Sequence, residues 1–504
     1  FVLITNYDLS GSFENNGIIG GFTTPIGIQV DAGSIITSEL INETGGKIFA
    51  SQQGIAVVNS TVPNIVNDGS ITVVNAHSGV ATGIVYIDTV GAIPSSFTST
   101  ITNNGSMSVD SIGLGATSAN ATALGMGQKF VAEPGSVDAN LVNNGDLSVS
   151  AQAVANAPTA HATAFGIGNL QQVSAAGAVT LTAANNGTLD VNVSATALGA
   201  NTALGTASAH AVGIGFQQTA VAGTTGAGGL SAAGAVSNSG LVDIQVKELA
   251  NAFNASAGGT ANGFGQLIVA GGGTSLAFAS FLNDGTFQVV DSAVATAAHS
   301  AFASAHAYGG EQTAVGGGGF VLIGGGDTAT LTNTGVFTVE ALANADGLNF
   351  ALASASAGGV RQIAADGLAS GTATDDFTNS GAFTVLAQAT AVSPTLAVAD
   401  ANIVAGVSQI AVGFQGASVS IDNSATMSFI ADATATSLTG DAQAVAVVTE
   451  GLYQVAVGTT FGSGASVANA SVTNSGEITI AAQANAVAAD LASAVAAIDP
   501  GISQ

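Results

Sequence analysis

From end to end the chain repeats one short motif, Asn-x-Gly followed by alternating apolar residues. It occurs at Asn15-Asn16-Gly17, Asn67-Asp68-Gly69, Asn103-Asn104-Gly105, Asn143-Asn144-Gly145, Asn185-Asn186-Gly187 and Asn238-Ser239-Gly240. It continues at Asn283-Asp284-Gly285, Asn333-Thr334-Gly335, Asn379-Ser380-Gly381 and Asn474-Ser475-Gly476, with degenerate copies at Asn42 and Asn423. The Asn-to-Asn spacing starts near about 25 residues and grows to about 40–53, the range of repeat architectures. A chain so built stacks similar units and buries a continuous core between neighbours. Asn and Gly both accept positive φ, which predicts a tight turn between strands at each copy. Stacked copies place Asn above Asn, and their amides can bond along the stack as a ladder.

A second marker sits inside most repeats: Gly, a residue or two, then Gln. It is read at Gln128, Gln172, Gln217, Gln266, Gln312, Gln362, Gln409 and Gln454, and the chain closes on Gly501-Ile502-Ser503-Gln504. The arm from Asn to Gln is steady and the arm from Gln to the next Asn varies. A fixed scaffold face plus a tolerant edge follows.

Periodicity decides strand against helix. After Gly145, Leu147, Val149, Ala151, Ala153 and Ala155 alternate with Asp146, Ser148, Ser150 and Gln152, the period of two that marks a strand. The phase slips at Pro158, which suits a corner. Alanine alone is a poor strand residue, but it fits between two closely approaching sheets. Only 5% of residues are aromatic and Trp is absent, so the expected core is thin at an Ala/Gly waist. Bulkier residues are expected nearer the turns, with Phe287, Phe337 and Phe383 stacked as an internal column. Ala486 to Ile498 could form a helix, with Pro500 after it. The fold expected is all-β, a single-chain parallel β-solenoid (β-helix) with Asn-x-Gly turns and a thin Ala/Gly/Val core. Residues 1–100 form its narrower rungs and residues 101–504 its wider Ala/Gly-rich repeats. One widening rung per repeat is favoured over two.

Charge narrows the partners. Lys47, Lys129, Lys247 and Arg361 are the only fixed cations against 31 carboxylates, a net charge of −27. That balance disfavours nucleic acid and anionic lipid, which need clustered Lys and Arg. No cysteine is present, so no disulfide or thiolate metal site can form. Uncharged stretches such as Val191 to Val242 are rich in Gly, Ser, Thr and Asn and do not read as membrane insertion. The chain begins Phe1-Val2-Leu3-Ile4 without Met or a basic leader, as a mature product or a piece of something longer would.

No catalytic grouping stands out, and the chain reads as a non-enzyme. The cations are far apart in sequence and sit beside no acidic cluster. Asp375-Asp376, the densest acidic pair, reads as solvated loop rather than facing glycosidase carboxylates. His161, His210 and His306 each follow Ala in an Ala-rich arm and are expected to share one outward column. Gly324-Gly325-Gly326-Asp327 is a loose echo of a calcium-binding repeat. No cofactor is expected; calcium between surface carboxylates is open but unsupported.

The Asn-Ser-Gly turn with its short alternating strand, as in Asn474-Ser475-Gly476-Glu477-Ile478-Thr479-Ile480, resembles the repetitive β-helical passengers of bacterial autotransporters and large secreted adhesins. The resemblance implies export to the cell surface or beyond. Two function classes follow as expectations. The first is a structural subunit of an extracellular fibre, sheath or surface layer, its main partner another copy of itself. The second is a monomeric adhesin stalk that presents a binding tip elsewhere.

Overall fold

The computed structural model describes residues 1–77, 79–89, 96–132, 135–223, 230–271, 275–316, 326–367, 371–459 and 466–504. Within them the chain is all-β, with no helix. Residues 486–498 therefore correct the helical expectation: they finish the strand Glu477–Val487 and form the strand Ala492–Ile498. Neighbours decide this. Ala482, Ala484 and Ala486 lie beside Ala431, Ala433 and Ala435 of the preceding repeat, and such sheet pairing overrides the helix preference of alanine.

A typical repeat supplies three strands. Ser136–Asn143, Asp146–Asn156 and Thr159–Ala175 pair in parallel with Val179–Asn185, Thr188–Leu198 and Thr206–Ala222 of the next repeat. The first kind of strand builds a 12-stranded sheet and the other two a 25-stranded sheet. In two repeats the second and third strands run together, as Leu241–Ala270 and Thr286–Gly316. Each repeat advances the chain by one strand position. Asn42 thus sits beside Asn67, 25 residues on, and Asn185 beside Asn238, 53 residues on. One widening rung per repeat accounts for both spacings. The architecture is of the parallel β-helix or solenoid kind.

Alternation fills the interior. Leu147, Val149, Ala151, Ala153 and Ala155 are buried while their neighbours face outward. Ala160, Ala162 and Ala164 of the following strand are buried in turn, and the two alanine arms pack together. Methyl side chains allow that close approach, which larger ones would prevent. Larger residues fill the section beside the short sheet. Phe287, Phe337 and Phe383 stack with centroids 5.0 and 4.9 Å apart and planes 8° from parallel.

The third strand breaks its alternation once. In Thr159–Ala175 the residues Gly166, Ile167, Gly168 and Asn169 are buried in succession. The strand bends there, turning from the alanine arm toward the short sheet.

Candidate functional site

Two continuous rows of side-chain amides run through the stack. In the first, each Asn donates its Nδ2 to Oδ1 of the next: Asn103 to Asn143 at 2.8 Å, Asn143 to Asn185 at 2.8 Å, Asn185 to Asn238 at 2.9 Å. The row passes through Asn283, Asn333 and Asn379 to Asn423 and Asn474. It begins at Asn15 and runs through Asn42 and Asn67. The second proton of Nδ2 finds a backbone carbonyl just past the bend of the next repeat, as from Asn238 to Thr286 at 2.9 Å. A parallel exposed row, Asn104, Asn144 and Asn186, follows the next residue position.

The motif glycines have a different role from the one expected. Gly105, Gly145, Gly187, Gly240, Gly285, Gly335, Gly381 and Gly476 do not adopt positive φ. A Cβ on Gly145 would instead run into the carbonyl oxygen of Gly105 one repeat below, and the other seven meet an oxygen of the preceding repeat in the same way. That oxygen is occupied, since the Asp146 N–H donates to it at 3.0 Å. Glycine lets one bend stack closely on another at these eight positions, while the degenerate copy at Asn423 carries Ala425 at the same place.

The second row is built from glutamines, and two of its members differ from the sequence reading. It runs Gln128, Gln171, Gln218, Gln266, Gln312, Gln362, Gln409, Gln454 and Gln504. Gln172 and Gln217 lie outside it, on the outward face, beside Lys129 and Leu170 respectively. The signal that distinguishes them is a fixed spacing. Each row glutamine lies three residues after a glycine, as in Gly168-Asn169-Leu170-Gln171 and Gly215-Phe216-Gln217-Gln218. Those glycines stand at the strand bend. A Cβ on Gly215 would lie 2.6 Å from the Gly263 carbonyl oxygen and 2.6 Å from Ile244 Cδ1. Glycine sets the bend, and three residues later the glutamine points inward.

Each interior glutamine also ties two sheets together. Gln218 Nε2 donates to the Ala235 carbonyl of the short sheet at 3.0 Å, and Gln266 Nε2 to that of Ser280 at 3.1 Å. Both amide protons are thus used, one along the stack and one across it. A buried amide satisfied in this way fixes register, because a slip by one residue would strand it.

The ionisable residues are arranged differently from the sequence expectation. Asp375 is no solvated loop residue. It lies on the inner face of Thr372–Asn379, between Ala373 and Phe377, and is fully buried. Burial pushes its carboxyl up to about 8, and the amides of Ile410 and Ala364 offset part of that rise. Asp376 faces outward and accepts a hydrogen bond from Ser420 Oγ at 2.7 Å. Asp327 is buried too, accepts the Ala277 and Gly316 N–H groups at 2.8 and 2.9 Å, and is raised to about 7 by desolvation. Gly324 and Gly325 of the calcium-like echo lie outside the described residues.

Glu248 and Asp291 form a buried acid pair on adjacent repeats. Desolvation raises both carboxyls; the charge of Asp291 adds to the rise at Glu248, whereas hydrogen bonds from His306 and Glu248 offset part of the rise at Asp291. Asp291 accepts the His306 N–H at 2.6 Å. Both Glu248 oxygens and the second Asp291 oxygen accept no hydrogen bond. His161, His210 and His306 do not share a column. His161 lies beside Ser208, His210 beside Thr163 and His306 beside Thr260. Arg361 meets Glu311 at 3.5 Å, an ion pair that the repeat brings together across 50 positions. Among the described residues no group of three or more His, Cys, Asp or Glu is placed to hold a metal ion. None of their helices, there being none, is long and apolar enough to cross a membrane. No protein-family model, curated protein or solved structure matches the chain at a significant level.

Proposed function

We propose that this chain is a secreted structural protein: a parallel β-solenoid with Asn-x-Gly bends and a thin Ala/Gly/Val waist. In this reading it serves an extracellular fibre, sheath or surface layer and associates with further copies of itself through its ends or edges. One observation carries the reading. The two interior amide rows, Asn15 to Asn474 and Gln128 to Gln504, run along the stack without interruption. Such rows add stiffness and register with each repeat and serve no chemistry. The role proposed is structural, not catalytic.

Self-association has physical support in the repeat itself: strands that pair in parallel, repeat upon repeat, within the chain can pair in the same way between chains. The resemblance to exported β-helical adhesins supports a location at the cell surface or beyond.

Negative-stain electron microscopy of the whole chain across a concentration series tests the proposal, with and without calcium. Uniform filaments that lengthen with concentration support a self-assembling subunit. Separate short rods at every concentration overturn it in favour of an adhesin stalk carrying its binding tip elsewhere.

A further inference from the structure

The strand bend that buries glycine on its inner side leaves a trough on its outer side. The trough runs along the stack, with a cavity volume of about 560 Å³ in its main part, within the range of sites that hold small molecules. One wall presents Asn262 and Tyr308, and the other Gln217, Glu311 and Arg361. It continues along the stack past Gly358 and Val404, and along the strands toward Leu267 and Thr313.

Its lining combines an aromatic ring, two side-chain amides and an ion pair. Tyr308 is 36% exposed, and its ring lies against the position that a Cβ on Gly358 would take. The result is a flat aromatic platform next to a floor without side chains. Across from it stands Arg361, the chain's one arginine, held by Glu311. Gln217 and Asn262 add planar amides, each able to donate and accept. An apolar plate facing a row of fixed, planar hydrogen-bonding groups is complementary to a pyranose ring. The C–H face of the sugar covers the tyrosine and its equatorial hydroxyls reach the amides and the ion pair.

Two observations narrow the ligand. The floor strands are already paired on both sides, Tyr308 lying between Asn262 and Gly358. A peptide therefore finds no open edge to join as an added strand. The chain carries −27 and the single trough arginine is neutralised by Glu311, which disfavours an acidic glycan. We propose that the trough binds a neutral, flat polysaccharide of β-1,4-linked, gluco-configured sugars, lying along the stack axis. The inference goes beyond the structural role and does not depend on self-association, since the trough lies on the side of the stack.

Isothermal titration of the whole chain with cellohexaose, and with hexagalacturonate as the acidic counterpart, tests it. Saturable binding of cellohexaose is expected, with at least about tenfold weaker binding of the galacturonate, a difference of about 1.4 kcal/mol. Tyr308→Ala should weaken cellohexaose by about tenfold or more, while Tyr308→Phe, which keeps the plate, stays within about threefold. Gly265→Leu gives an independent check. No atom lies within 4 Å of a Cβ added at Gly265, so the new side chain enters the trough without disturbing the fold and should abolish binding. Absence of cellohexaose binding at about 10 mM, weaker than the millimolar range, would overturn the proposal. So would preference for the galacturonate, or binding that survives both Tyr308→Ala and Gly265→Leu.

Discussion

Gln218 donates its side-chain amide to Gln171 at 2.8 Å, although 47 residues separate them. The same amide donates across the interior to the Ala235 carbonyl and its oxygen accepts from Gln266. Four strands and two sheets are held at one buried point. Gln217, its immediate neighbour, faces the opposite way and takes part in none of this.

That contrast is measurable. Gln218→Ala leaves the Gln266 donor and the Ala235 carbonyl without their partner and should cost about 1–3 kcal/mol. Gln217→Ala, on the outer face, should stay within about 0.5 kcal/mol. Thermal melting of the two variants side by side decides which glutamine belongs to the interior row. Equal effects would remove the row from the stability of the fold.

Much of this architecture was legible in the sequence. Period-two alternation through Leu147 to Ala155 identified strands in spite of their alanine, and the recurrence of Asn-x-Gly gave the repeat. Phe287, Phe337 and Phe383 lie in a column because they occupy the same position in successive repeats. Where residue type alone misleads, spacing decides. Gln172 and Gln217 were indistinguishable by type from Gln171 and Gln218, and only the fixed distance from Gly168 and Gly215 separates them. Asp375 read as a loop residue because it is charged and has a charged neighbour, yet alternation through Ala373, Asp375 and Phe377 puts it inside. Glu248 and Asp291 meet only through a pairing register that follows from the whole stack.

The alanine waist predicts intolerance to volume. Ala153 is fully buried and Ala207 nearly so, each facing an arm that packs against its own. Ala153→Leu or Ala207→Leu should overpack the waist and cost about 1–3 kcal/mol. Unchanged melting of both variants would mean that the arms can separate, contrary to a close-packed waist.

Stability should fall as pH rises from mildly acid to mildly alkaline. Asp327 and Asp375 are raised to about 7 and about 8 in the folded chain, against roughly 3.9 for an unfolded aspartate. The folded state therefore holds more protons than the unfolded state between those values, and stability declines with pH there. The contribution is complete below about pH 4 and is lost as pH passes through about 7 and 8. The Glu248–Asp291 pair acts in the same direction. Melting temperatures measured from pH 4 to pH 9 should decrease across this range, and Asp375→Asn should flatten the decline. A rise in melting temperature between pH 5 and pH 8 would contradict the buried, protonated carboxyls.

Asn169 is buried with neither its amide nitrogen nor its oxygen hydrogen-bonded. Its register partners are Met126 and Phe216, so this inner position accommodates larger apolar side chains. Asn169→Leu should stabilise the chain by about 1–2 kcal/mol by removing an unsatisfied buried amide. A loss of stability in denaturant melts would show that Asn169 has a polar partner the fold depends on.

Sedimentation equilibrium of the whole chain over a wide concentration range tests the central claim most directly. A self-associating structural subunit predicts a weight-average mass that climbs steadily above that of one 504-residue chain. A mass fixed at one chain from the lowest concentration to the highest would contradict it.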